Sequence, residues 1–331
     1  MIETTYQIAD RLISVACPDE IAGHSADSFL TELRASRVTR GSGSAAQLIM
    51  KRGRFQLPSN MRRCFTSVEA ETEVVYYSGE SSYVVTLGSS TVFAGDTTTV
   101  EITLAPDLDC SSLLFQRVLI HGLAAALRRA GAFELHCAAL VDPRTSDATL
   151  LIGPSGSGKS TLAIQLAAKG WDFSTDDVAL LTQTESGVEA HGLREHFAVT
   201  TETIANSSLR PFGADVLAGT ANADGKYSVR PESWFAVRQI QKCSPRFLVF
   251  TERTGGRQSQ VHRLNKAAVT QQLLRMCPWI CMDIPTAPRY LRLLDCLARQ
   301  CKSFALNAGT DLLGNEDYAS HLLRSLDGMA A

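Results

Sequence analysis

The sequence predicts an α/β protein with a β-rich N-terminal third. Short alternating apolar runs recur through the early part of the chain, as half-buried strands do. Around residues 148–182 the order is apolar strand, glycine-rich loop, amphipathic helix, strand, the order of a layered α/β core. A chain of 331 residues also has room for two domains, at roughly 100–200 residues each. We expect a β-rich (α+β) accessory domain over 1–105 and a larger α/β domain with C-terminal helices over 106–331.

The composition is that of an ordinary globular protein, with 45% hydrophobic and 20% charged residues. A net charge of −2 gives no global reason to expect nucleic acid as a partner. No run approaches the roughly 20 apolar residues of a membrane helix. Met1–Asp10 lacks the basic flank and apolar stretch of a signal peptide. The nine cysteines include no CxxC pair, so they read as reduced thiols of a cytoplasmic protein rather than as a zinc site.

In the first domain, Val74–Tyr77, Tyr83–Leu87 and Thr99–Leu104 read as strands, with turns at Ser78–Glu80 and Gly95–Asp96. Arg37–Ser44 is a basic Gly/Ser-rich loop. A helix is expected over Ser112–Ala130, capped by Ser111 or Ser112 and stopped by Gly131. Its apolar residues, among them Leu114, Val118, Leu119, Leu123 and Ala126, recur at helical spacing. Phe133–Val141 and Ala148–Ile152 read as strands flanking a turn at Pro143–Asp147. A helix over Ser160–Lys169, ended by Gly170, follows the glycine-rich loop. Asp172–Thr175, Val178–Thr182 and Val188–Ala190 are extended, and Lys266–Met276, Pro288–Cys301 and about Asn315–Leu326 read as helices.

The glycine-rich loop carries the most specific chemistry. Gly153, Pro154, Ser155, Gly156, Ser157, Gly158, Lys159, Ser160 and Thr161 fit GxxxxGK[ST] throughout. Its glycines let the backbone curl so that successive N–H groups point inward at phosphates. The helix starting near Ser160 adds its positive N-terminal end. Lys159 has the reach for the β- and γ-phosphates of ATP, and Ser160 offers its hydroxyl to Mg²⁺. Asp176 and Asp177 lie 17 and 18 residues after Lys159, at the end of an expected strand. There, one carboxylate can bind Mg²⁺ and the other can take the proton of an attacking hydroxyl. His136, on the strand before the loop, is positioned to orient that carboxylate or to touch the transferred group. Arg194 and Lys226 are lesser candidates for the phosphates, as are Glu195 for the metal and Arg230 for an anion. The cluster Arg253–Arg257 reads as a turn.

Taken together, Leu135-His136-Cys137, Ala148–Ile152, Gly153–Ser160, Ala168-Lys169-Gly170 and Ser174-Thr175-Asp176-Asp177 resemble the HPr kinase/phosphorylase superfamily. The resemblance covers about Gly122–Ala190. It implies the phosphoenolpyruvate-carboxykinase-like P-loop fold and phosphorylation of a serine hydroxyl on a peptide or protein. It also implies that Lys159 and Ser160 serve phosphate and Mg²⁺, that the Asp pair supplies base and metal ligand, and that His136 assists. Asp176 is expected as the base and Asp177 as the metal ligand, with the order within the pair left open. The Gly/Arg/Asn-containing stretch with which such enzymes engage HPr is missing between Gln258 and Arg299. Arg129–Ala139 looks closer to the related serine kinases of ribosomal-peptide maturation, some of which act on the C-terminal serine of a lasso-peptide precursor. The alternatives are a bifunctional HPr kinase/phosphorylase and an ATP-binding regulatory module that transfers nothing. The sequence leaves open whether the chain forms a homo-oligomer.

Overall fold

A computed structural model describes residues 1–38, 44–69, 71–222 and 225–330. Most of the loop expected over Arg37–Ser44 lies outside the described residues. The chain forms two compact units. The first comprises Met1–Glu134 and Pro278–Arg292, the second Leu135–Cys277 and Leu293–Ala331. Both are mixed α/β structures built on a large sheet.

The sheet of the first unit runs, in order, Ser36–Arg37, Ile2–Ile8, Arg11–Cys17, Ala46–Arg52, Thr99–Leu104, Ser90–Ala94, Tyr83–Leu87, Thr72–Ser78 and Arg62–Glu69. Ala46–Arg52 lies parallel to both of its neighbours, whereas the remaining pairs are antiparallel. The parallel step from Arg11–Cys17 to Ala46–Arg52 is bridged by the helix Glu20–Glu32, since parallel neighbours need a crossover. Asp19 caps that helix, accepting from the Ala22 N–H at 2.8 Å.

The helix Leu113–Arg129 starts as expected, with Ser112 Oγ accepting from the Phe115 N–H at 3.2 Å. It packs on the first sheet, so the first unit runs past residue 105. The reason is its apolar face: Phe115, Val118, Leu119 and Leu123 are fully buried. Gly122 fits there because a Cβ would sit 2.5 Å from Ile102 Cδ1.

A buried charge cluster fixes the returning segment Pro278–Arg292 within this unit. Arg128 and Asp283 are both 0% exposed, and Arg128 Nε donates to Asp283 Oδ2 at 2.8 Å. Arg129 Nη1 donates to the same oxygen at 3.0 Å. Arg128 also pairs with Glu134, and its guanidinium lies 4.2 Å from the centre of the Trp279 ring.

The sheet of the second unit runs Lys242–Cys243, Gly187–Gly192, Val178–Thr184, Ala132–Asp142, Asp147–Ile152, Pro245–Arg253, Lys302–Ala308 and Gln260–Arg263, with Asp172–Thr175 pairing to Ala132–Asp142. Asp147–Ile152, Pro245–Arg253 and Lys302–Ala308 form a parallel trio at its centre. Such strands are buried on both faces and read as continuous apolar runs. Leu150, Leu151 and Leu248 accordingly have no exposure. The helix Lys159–Ala168 packs against Glu316–Ser325, and Trp171 Nε1 donates to Ser320 Oγ at 3.1 Å between them.

Removing Asp283 leaves two buried guanidinium groups short of a counter-charge. We expect Asp283→Ala to cost about 3–5 kcal/mol of stability, the usual consequence of breaking a buried ion pair from one side. Chemical denaturation checks this; a loss below about 1 kcal/mol would show that the cluster is not held by charge.

Candidate active site

The three parallel strands of the second unit end at one edge, and their C-terminal ends form one side of a cavity of about 280 Å³. Thr251 and Arg253 come from the end of one strand and Ala308 from the end of another, and the third runs into Gly153. Ligands of open α/β sheets bind at such an edge. The glycine-rich loop contributes Ser155–Thr161 to the wall, joined by His136, Gln165, Asp176, Asp177 and Lys226.

The loop's shape follows from its sequence. Gly156 and Gly158 have φ of +79° and +93°, which favour glycine. At Gly153 the limit is space: a Cβ would lie 2.6 Å from both Ser157 Oγ and the Thr251 carbonyl. Ser157 Oγ and Thr251 Oγ1 are 3.0 Å apart, and Thr251 Oγ1 donates to the Ile152 carbonyl at 3.3 Å. The loop is thereby tied to the neighbouring parallel strand. Gly158 is the N-cap of the helix, and its left-handed backbone leaves Lys159 as the first helical residue.

Lys159 is 5% exposed, and its Nζ donates to the carbonyls of Gly153 at 2.6 Å and Pro154 at 3.0 Å. Burial pushes its ammonium below the usual lysine range, opposed by the Asp176 charge. An anion drawn to this end of the helix meets a cation already in place.

Asp176 and Asp177 occupy the turn between Asp172–Thr175 and Val178–Thr184. The Cys137 N–H donates to the Asp177 carbonyl at 3.2 Å, holding the turn beside the strand that carries His136. The side chains diverge. Asp176 is 4% exposed, and its Oδ1 has no hydrogen-bond partner among the described residues. Burial pushes this carboxyl up to about 7, helped by the neighbouring Asp177 charge; the Ser160 hydroxyl, the Ala198 backbone and Lys159 pull the other way. Asp177 is half-buried, with Oδ1 at 3.3 Å from His136 Nδ1 and Oδ2 at 3.6 Å from Arg194 Nη1. Burial acts to raise its carboxyl too, but His136, Arg194 and Lys226 outweigh it and bring the group down to about 2.

This donor set fits a small hard cation. A buried carboxylate oxygen without a partner, beside a serine hydroxyl, offers the oxygen ligands that Mg²⁺ prefers. Asp176 and Ser160 are the residues placed to hold it.

The remaining sequence candidates take different places. Lys226 lines the cavity from the turn after Gly225, where its own N–H donates to Asn222 Oδ1 at 2.9 Å; Asp224 beside it lies outside the described residues. Arg194 does not line the cavity but faces Asp177. Glu195 offers its backbone carbonyl to Gln239 Nε2 at 2.8 Å. Arg230 is exposed and acts with Arg194 on His196, whose imidazole is held below its usual range chiefly by burial. Arg253, read from sequence as part of a turn, ends a parallel strand, lines the cavity and pairs with Glu202 at 3.0 Å. Thr251 escaped the sequence reading, and Arg253 was read only as a turn. The signal for both is their place at the end of an apolar run, Phe247–Phe250, which pairs in parallel with the strand leading to the loop.

The buried carboxyl has a measurable consequence. Its folded value is raised from 3.8 to about 7, so the fold favours the neutral form. Its contribution to stability is full below the unfolded value and is lost as pH rises from about 4 to about 7. We expect the unliganded protein to melt progressively lower across that range and Asp176→Asn to flatten the profile. Equal slopes for the two proteins would refute this.

Among the described residues, no helix is long and apolar enough to cross a membrane. No family model and no curated protein matches the chain. Among solved structures, the chain is similar to the Hpr(Ser) kinase/phosphatase from Coxiella burnetii, at 15% identity over 37% of this chain and 60% of that one, with a TM-score of 0.26. The chain thus matches about three-fifths of that protein's length, and the likeness is a weak one.

Proposed function

We propose that this chain is an ATP- and Mg²⁺-dependent kinase that phosphorylates a serine hydroxyl on a peptide or protein. The observation that carries the reading is the meeting, in one cavity, of the GxxxxGKS loop, a buried carboxylate beside Ser160 and a half-buried carboxylate beside His136. The larger domain is then a P-loop kinase core of the phosphoenolpyruvate-carboxykinase-like kind. A lasso-peptide precursor with a C-terminal serine is the acceptor that the sequence resemblance suggests.

In this reading the loop amides and Lys159 bind the triphosphate, with Lys159 leaving the Gly153 and Pro154 carbonyls for phosphate oxygens. Asp176 and Ser160 would hold Mg²⁺, which would supply charge neutralisation at the phosphate oxygens. Asp177 accepts the hydrogen bond of the serine hydroxyl. As serine Oγ attacks, the Oγ–P bond forms, the bond from the γ-phosphorus to the bridging oxygen breaks, ADP leaves and the proton passes to Asp177. His136 and Arg194 fix that carboxylate in its ionised form.

This order within the pair reverses the one first expected. Basicity alone would favour Asp176, whose value of about 7 suits a general base. Access favours Asp177 instead, because Asp176 is 4% exposed and a peptide hydroxyl has to reach its base. In a loose phosphoryl-transfer transition state, positioning and charge matter more than proton affinity.

Transfer of labelled phosphate from ATP to a panel of serine-containing peptides tests the reading. Lys159→Ala should lower turnover by about 10²–10³. Asp177→Asn should bind ATP normally and lose about 10²–10⁴ in transfer. Asp176→Asn should raise the Mg²⁺ concentration needed. The opposite pattern in the two aspartate variants would restore the order first expected. ATP binding with no transfer to any peptide would favour the regulatory module.

A further inference from the structure

Gln165 lies one turn beyond Thr161 on the helix Lys159–Ala168, four residues on and therefore on the same face. It is 1% exposed to solvent, yet it lines the cavity. Its Oε1 has no hydrogen-bond partner among the described residues. A buried amide oxygen left unpaired costs free energy that a leucine of similar size would not. Its helix neighbours Leu162, Ile164 and Leu166 are apolar core and offer its side chain no donor.

The unpaired atom is an acceptor, so phosphate oxygens do not suit it; they are served by the loop and Lys159. It calls for an N–H donor further along the ligand. The cavity provides for a flat, mostly apolar group through Leu306, Ala308, Leu312 and Leu313, with Asn206 as a further polar edge. An adenine ring combines these features. Its 6-amino group donates, the adjacent ring nitrogen accepts, and a glutamine amide can satisfy both at once.

We propose that Gln165 reads the base of the bound nucleotide, its amide pairing with the 6-amino edge of adenine. The inference rests on the nucleotide reading above and names a specificity-determining residue of that site. Because the amide is buried in the free protein, the pairing replaces an unmet hydrogen bond rather than a bond to water, which favours discrimination by this contact.

Binding of three probes to the intact chain tests it: ATP, purine riboside triphosphate, which lacks the 6-amino group, and inorganic tripolyphosphate. The wild-type protein should bind ATP about five- to tenfold more tightly than purine riboside triphosphate, the ratio expected for one net hydrogen bond. Gln165→Met should abolish that ratio while leaving tripolyphosphate affinity unchanged, with Gln165→Leu as a second variant should the first not fold. Both variants should melt no lower than the wild type when unliganded, because each removes a buried orphan acceptor. Equal weakening of all three probes, or an undiminished preference for ATP, would overturn the role of Gln165 and leave the kinase reading standing. Failure of the wild-type protein to bind ATP at all would overturn both.

Discussion

Two carboxyl groups on adjacent residues cannot both be buried and both be ionised at neutral pH. Each raises the free energy of the other's charge, and desolvation adds to the penalty. The turn at Asp176 and Asp177 resolves this by sending the two side chains to different surroundings. One is enclosed beside Ser160 and Lys159 and pushed up to about 7; the other faces His136 and Arg194 and is drawn down to about 2. Groups of one chemical type thereby meet opposite environments, the pattern by which candidate acid–base partners are recognised.

The divergence depends on the sheet. The strand Ala132–Asp142 takes Asp147–Ile152 on one side and Asp172–Thr175 on the other, so the glycine-rich loop and the Asp turn flank the strand that bears His136. The parallel neighbours then close the cavity with their C-terminal ends. Hydrogen bonds from Ser157 to Thr251 and from Thr251 to Ile152 bind loop and sheet into one frame. The glycines at 156 and 158 allow the curl, and the lack of a side chain at Gly153 allows the close approach of Thr251.

Much of this frame was legible in the sequence, for particular reasons. The strands Tyr83–Leu87, Thr99–Leu104 and Asp172–Thr175 have the bounds that their apolar runs give. The helices Leu113–Arg129 and Glu316–Ser325 announce themselves by capping residues, Ser112 and Asn315, and by periodic apolar positions. Pro245–Arg253 and Lys302–Ala308 were missed. They are central parallel strands without the period-2 alternation of a half-exposed strand, and their partners are distant in sequence. The helix Glu20–Glu32 was missed because Gly23, His24 and Ser25 interrupt its apolar pattern. At the site, the motif residues could be found by spacing, but the orientation of each aspartate could not. That depends on which backbone turns inward at 176, a tertiary matter. Arg253 and Gln165 were hidden for the same reason, since a charge in a turn and an amide on a helix acquire meaning only from the cavity they border.

The first unit is completed by a segment that arrives late. Arg128 and Arg129 are buried against Asp283, which lies more than 150 residues further along the chain. During synthesis at about 5–20 residues per second, the sheet of the first unit emerges well before that carboxylate. Until Pro278–Arg292 has left the ribosome, the two guanidinium groups have no Asp283 to bury against. Completion of the first unit therefore waits on the translation of residues 278–292. The order in which the chain is made differs from the order in which its units can close, and a nascent chain stalled before residue 278 would expose an unfinished core to chaperones and proteases.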